Sequence, residues 1–268
     1  MKELEAIGVQ LENAPDKQIS LTDPDARSMK TRGTGIVGYN VQTAVETKNH
    51  LIVAHEVTND GLDRDQLSTM GKQARKAMKL DFLTAIADRG YFKSEEILAC
   101  HKAGIVPLVP KSATSGAKAD GRFDRADFLY DRENDEYVCP AGERLIWRFA
   151  RVEGGLMMNR YWSSSCPRCP IKSQCTPSDY RRVSRWAHEE ELEVMQARLD
   201  KAPDCMRIRR RTVEHPFGTL KAWMGATHFL TKGLERVRTE MSLHVLAYNL
   251  KRVMKLMGNE ALMTAIRA

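Results

Sequence analysis

The segment from Arg210 to Lys221 reads RRTVEHPFGTLK and holds one glutamate, Glu214, four residues after an arginine and seven before a lysine. On a straight α-helix turning about 100° per residue, Arg210 and Glu214 lie about 40° apart and Lys221 about 20° from Arg210. One face then offers a carboxylate suited to a hard cation and two side chains suited to phosphate. A proline deep in a helix lacks a donor and clashes with the carbonyl four residues back, so Pro216 predicts that the helix starts nearby. With Thr212 or Val213 as N-cap, Glu214 sits at the favourable end of the helix dipole and Arg210 approaches from the preceding segment. A solvated helix start with a stabilising glutamate is the alternative.

Asp88 stands at the carboxyl end of the apolar run FLTAIA and is followed at once by Arg89 and Gly90. Ligand sites in open α/β sheets collect at such strand ends, although an Asp-Arg-Gly turn needs the same residues for its own geometry. Cys166-Pro-Arg-Cys169 has the spacing of a zinc knuckle, with Cys175 six positions on and Cys139 upstream. Four thiolates suffice for a closed tetrahedral zinc site that would stabilise a segment poor in apolar residues; reduced free thiols are the other reading. Cys100 and Cys205 stand apart and read as buried small residues. Arg207, Arg209, Arg210 and Arg211 cluster just before Glu214, which favours phosphate contact with little sequence specificity. His215 either orients a water or makes a structural hydrogen bond.

The 268 residues carry 42 Lys plus Arg against 35 Asp plus Glu, a net charge of +7 that favours a polyanionic partner. No apolar run is long enough to span a bilayer, and the amino terminus lacks the apolar core of a signal peptide. A cytoplasmic protein with no membrane partner is expected. In that compartment the six cysteines are thiols or metal ligands rather than disulfides.

These side chains must be positioned by the elements around them. Leu4, Ile7 and Leu11 are spaced as on a helix that Pro15 and Asp16 stop. GYNVQTAVET and LIVAHEVTN, from Gly38 on, read as a β-hairpin turning at Lys48, Asn49 and His50. An amphipathic helix over 65–78 leads to the strand ending at Asp88. A helix capped by Ser94 follows, stops at Gly104, and gives way to the strand IVPLVP. After Lys111 the composition shifts to Ser, Gly, Ala, Asp and Lys, with hairpin-like pieces over 128–138, 145–149 and 157–162 and a helical stretch over 186–199. The closing helix, 234–257, carries Leu243, Leu246, Leu250, Val253 and Met257, predicted to face the core rather than a coiled-coil partner.

The Arg210, Glu214 and Lys221 spacing resembles the Arg-x3-Glu-x6-Lys signature of bacterial insertion-sequence DDE transposases, whose tyrosine position holds Arg207 here. ADRGYF, residues 87–92, is similar to the segment that supplies that family's second catalytic aspartate. The resemblance implies an α/β, RNase H-like mixed sheet flanked by helices, with an inserted cysteine-bearing subdomain. It implies Asp88 and Glu214 as catalytic ligands of two Mg²⁺ ions, which would activate a nucleophile and stabilise the leaving oxygen in DNA strand cleavage and transfer. Arg207, Arg210, Arg211 and Lys221 would hold phosphates of DNA at transposon ends. Expected parts are 1–19, an upstream helix or linker; 20–111, the first part of the core; 112–205, the insertion with the candidate zinc site of Cys139, Cys166, Cys169 and Cys175; and 206–268, the glutamate helix and closing helix. The family's first aspartate belongs on an opening strand before the hairpin, and no such strand is legible. Asp23 and Asp25 lie in a loop, and Asp63 or Asp25 is left to approach the site. The chain is accordingly read as the carboxyl-terminal part of a longer transposase with little activity of its own. A homodimer is a further expectation. The rival readings are a noncatalytic DNA-binding transposase remnant and an unrelated Mg²⁺-dependent nuclease.

Overall fold

The computed structural model describes residues 2–14, 16–30, 35–111 and 116–267. Pro15, part of the expected helix stop, lies outside them. The chain divides into two units, Met1–Lys111 with Val194–Ala268, and Ser112–Glu193.

In the first unit, α1 (Lys2–Asn13) precedes an antiparallel ribbon of β1 (Arg27–Lys30) and β2 (Gly35–Gly38). This ribbon corrects the sequence reading, which placed no strand before the hairpin. Two four-residue pieces, RSMK and GIVG, are too short for alternation to announce them. The hairpin follows as β3 (Asn40–Val45) and β4 (Ile52–Thr58). Its turn is organised by Glu46, whose carboxylate accepts the amides of Lys48 at 2.8 Å and Asn49 at 2.6 Å. Ala44 pairs with Ala54 but Val45 with Ile52, so Val53 is a bulge that switches the face of the strand.

Helix α2 (Leu67–Met78) packs Met70 and Ala74 against Ala54. A Cβ on its Gly71 would stand 2.9 Å from Cδ1 of Ile105, so the missing side chain is what permits this approach. Beyond α2, β5 (Leu83–Ile86), α3 (Ser94–Lys102) and β6 (Ile105–Leu108) form a parallel strand–helix–strand unit. Ser94 is the first helical residue rather than the cap, and Glu96 of α3 instead accepts the Ser68 amide at 2.7 Å, satisfying the start of α2. The pairs β3–β4 and β5–β6 are not hydrogen-bonded to each other. The expected single mixed sheet is therefore present only as strand pairs, with a cavity of about 270 Å³ lined by Thr43–Thr47 on one side and Leu83–Ala87 on the other.

The chain returns to this unit through α4 (Glu189–Asp200), followed by α5 (Cys205–Gly218), α6 (Leu234–Met257) and α7 (Asn259–Arg267). Val237, Met241, Val245 and Tyr248 of α6 bury against Ile52, Val57 and Leu220. The stripe predicted to face the core is on the other side: Leu243 and Leu246 are each 62% exposed, and Leu250 and Met257 are exposed too. Both stripes have three-and-four spacing, so periodicity alone cannot choose between them. Polar clamps decide it. Asn249 exchanges two hydrogen bonds with the Ile52 backbone, Tyr248 donates to the His50 carbonyl at 2.6 Å, and Arg238 donates to the Val57 carbonyl at 3.0 Å.

The second unit holds a five-stranded antiparallel meander of β7 (Leu129–Asp131), β8 (Glu136–Val138), β9 (Arg144–Glu153), β10 (Leu156–Trp162) and β11 (Val183–Trp186), each strand beside its neighbour in sequence. Gly154 and Gly155 turn β9 into β10, both with positive φ (56° and 85°), the backbone that a tight hairpin needs and glycine supplies. Phe128, Tyr137, Leu145, Tyr161 and Val183 form the core. Asp135 accepts the hydroxyls of Tyr130 and Tyr161, each at 2.7 Å.

Candidate functional site

Asp88 follows β5 and starts the 3-10 turn Arg89–Tyr91, accepting the Gly90 amide at 2.9 Å through Oδ1. Its other oxygen, Oδ2, lies 2.7 Å from a guanidinium nitrogen of Arg209 on α5. Asp63, in the loop after β4, accepts side-chain amide donors from Asn40 at 2.8 Å and Gln42 at 2.6 Å. The two aspartates bracket Gly90. A Cβ there would stand 3.0 Å from Asp88 Oδ1 and 3.6 Å from Asp63 Oδ2. Tyr91 completes the group by donating its hydroxyl to Gln42 Oε1. Burial, and then the charges of Asp63 and Asp88, push the Tyr91 hydroxyl pKa up, so it stays a proton donor at neutral pH.

Of the two aspartates left to approach the site, Asp63 does so and Asp25 does not. Asp25 accepts the Leu234 amide at 2.8 Å, and Asp23 accepts the Gly233 amide at 3.1 Å and the Tyr39 hydroxyl at 2.8 Å. Both carboxylates therefore bind the start of α6, where orphan amides and the helix dipole favour them. Burial raises the Asp23 pKa, but the hydrogen bonds from Tyr39 and Gly233 outweigh it and hold the group below its ordinary value.

Helix α5 differs from its sequence reading. It begins at Cys205, so Pro216 lies inside it and Glu214 is in its last turns rather than at its start. A proline in a helix interior costs about 3 kcal/mol or more; here the ring is fully buried, which offsets part of that. The helix then widens into a π-helical turn, Thr219–Trp223, with the Met224 amide bonding the Thr219 carbonyl at 3.0 Å. At about 100° per residue, Arg209, Thr212 and Val213 share one side of α5, while Arg207, Arg210, Arg211 and Glu214 share the opposite side. Arg209, Thr212 and Val213 line the cavity beside β3 and β5.

The structure thus joins Asp88 to Asp63 and Arg209, and turns Glu214 outward. Glu214, Arg210, Arg211 and Lys221 are exposed and form no ion pair among the described residues. Arg207 is exposed and meets Asp204 at 3.0 Å in a surface pair of little energetic weight. Among the described residues, no group of three or more His, Cys, Asp or Glu side chains is arranged to hold a metal ion. His215 is structural. Its ring stacks on His50 with centroids 5.0 Å apart, and its Nδ1 lies 3.0 Å from the Tyr248 hydroxyl. Tyr248 gives its one proton to the His50 carbonyl, so His215 Nδ1 must be the donor to it.

Arg209 and Asp63 were under-read in the sequence. The signal for Arg209 was its helical phase with the apolar side of α5; Asp63 lay in an Asp-rich loop with no periodic cue.

Residues 138–254 match the family model described as a transposase DDE domain. The match supports a DDE transposase. The matched segment contains Glu214, Arg210, Lys221, Cys139, Cys166, Cys169 and Cys175, and leaves Asp63 and Asp88 outside it. No curated protein and no solved structure matches the chain. No helix among the described residues is long and apolar enough to cross a membrane.

Proposed function

We propose that this chain acts on DNA in transposition, holding duplex phosphates on the outward face of α5, and that it has little strand-cleaving activity by itself. The observation that carries the reading is the transposase DDE match across the helix that bears Arg207, Arg210, Arg211 and Glu214 on one side. The exposed guanidinium groups of Arg210 and Arg211, which form no ion pair among the described residues, are suited to meet phosphate oxygens in a bidentate manner, with affinity but little sequence preference. We read the two strand pairs of the first unit as parts of one RNase H-like sheet interrupted by the cavity between them.

The family's chemistry uses Mg²⁺ held by carboxylates, and the carboxylates here do not fit that ion as they are arranged. Asp88 already gives one oxygen to the Gly90 amide and the other to Arg209, and Glu214 faces away from both. No cleavage step is therefore assigned to Asp88 and Glu214. This favours the noncatalytic DNA-binding reading over an unrelated nuclease, which requires a third carboxylate beside both. The test is to incubate the purified chain with supercoiled and linear DNA in Mg²⁺ and in EDTA. Salt-sensitive binding that ignores Mg²⁺, with no nicking, is expected. Robust Mg²⁺-dependent nicking that disappears in Asp88→Ala overturns the reading.

A further inference from the structure

We propose that Cys139, Cys166, Cys169 and Cys175 bind one zinc ion within the second unit, a site independent of the DNA-directed reading. All four cysteines, with Phe128, line one small apolar cavity of about 30 Å³, large enough for a single ion. Three short turns deliver them. Cys139 opens a reverse turn whose Gly142 amide returns to its carbonyl at 2.8 Å, and the Cys169 amide returns to the Cys166 carbonyl at 3.2 Å. The Cys175 amide closes the third turn on Lys172 at 2.9 Å.

A second observation points to an anionic occupant. Arg181 lines the same cavity with its guanidinium 5.1 Å over the Phe128 ring, and its Nε is buried with no hydrogen-bond partner. Leaving a buried charged donor unsatisfied costs on the order of 1–3 kcal/mol or more, and a thiolate of a metal cluster would satisfy it. Cys139 and Cys175 both pack against the cluster of Phe128, Tyr137, Leu145, Tyr161 and Val183. With zinc bound, the four thiols release four protons to solvent, and the four thiolates together with one Zn²⁺ carry a net charge of −2, which Arg181 partly neutralises. The sulfurs do not stand at coordinating geometry, so binding draws them inward to roughly 2.3 Å from the ion. Cys100 and Cys205 take no part: both are buried elsewhere, and burial pushes the Cys100 thiol up to about 12.

The experiment is a Co²⁺ titration of the full chain, purified under reductant and without metal. Expected are one Co²⁺ per chain, sulfur-to-cobalt charge-transfer bands with intense tetrahedral d–d bands, and displacement of both by Zn²⁺. Cys139, Cys166, Cys169 and Cys175 should then react with a thiol reagent more slowly than in the metal-free chain. Cys166→Ser combined with Cys169→Ser should abolish the bands, and Cys205→Ser should keep them. The absence of tetrahedral bands in the reduced wild-type chain overturns the proposal whatever the variants do, as does recovery of the four cysteines as disulfides in the freshly isolated chain.

Discussion

Oδ2 of Asp88 lies 2.7 Å from a guanidinium nitrogen of Arg209, tying the turn after β5 to helix α5 across 121 positions of sequence. The pair is partly exposed, with side-chain exposures of 43% for Asp88 and 27% for Arg209. Its coupling energy should therefore be modest, about 1 kcal/mol or less, and should shrink in salt. A double-mutant cycle of Asp88→Ala and Arg209→Ala, read by urea denaturation at low and high salt, measures it. A coupling that salt leaves unchanged would show that the pair is shielded from solvent.

Gly90 separates the two aspartates, and its replacement by alanine puts a methyl group 3.0 Å from Asp88 Oδ1. Gly90→Ala should destabilise the chain by about 1 kcal/mol, the low end of the cost of overpacking. Thermal denaturation checks this, and an unchanged Tm would mean that Asp88 gives way freely.

Much of the first unit was legible because its elements are long or strongly patterned. The β3–β4 hairpin, α2, β5, α3 and β6 follow from alternation and helical spacing, and the helix predicted over 234–257 is α6. What failed was orientation. Pattern finds an apolar stripe but not what covers it, so Leu243 and Leu246 were turned inward when Met241 and Val245 are the buried residues. Pro216 misled for a related reason: the penalty for an internal proline is local, while the burial that offsets it belongs to tertiary structure. At the candidate site, the place of Asp88 at a strand end was legible, but the partnership with Arg209 required knowing which side of α5 meets β3 and β5.

The two stripes of α6 can be separated by truncation. Met241→Ala removes a buried side chain and should cost about 2–5 kcal/mol, whereas Leu246→Ala on the exposed side should stay within about 0.5 kcal/mol. Chemical denaturation of both variants decides the orientation; equal losses would contradict it.

Asp23 makes stability depend on acid. Its pKa in the folded chain is held below the ordinary value, because the bonds from Tyr39 and Gly233 outweigh burial. The stabilisation is therefore complete above the unfolded-state pKa, near 4, and is lost as pH falls through the lower folded value. Asp23→Ala should lower stability at pH 7 by about 1–3 kcal/mol and flatten the decline below pH 4. A variant that keeps the wild-type acid profile would remove Asp23 from this role.

DNA binding by the outward face of α5 is the central claim, and the salt dependence of affinity tests it most directly. Fluorescence anisotropy on a labelled duplex should give a linear fall of log affinity with log salt, the same with Mg²⁺ chelated. The double variant Arg210→Ala, Arg211→Ala should reduce that slope by about two. A wild-type chain that does not bind, or a double variant with the slope unchanged, would contradict the account.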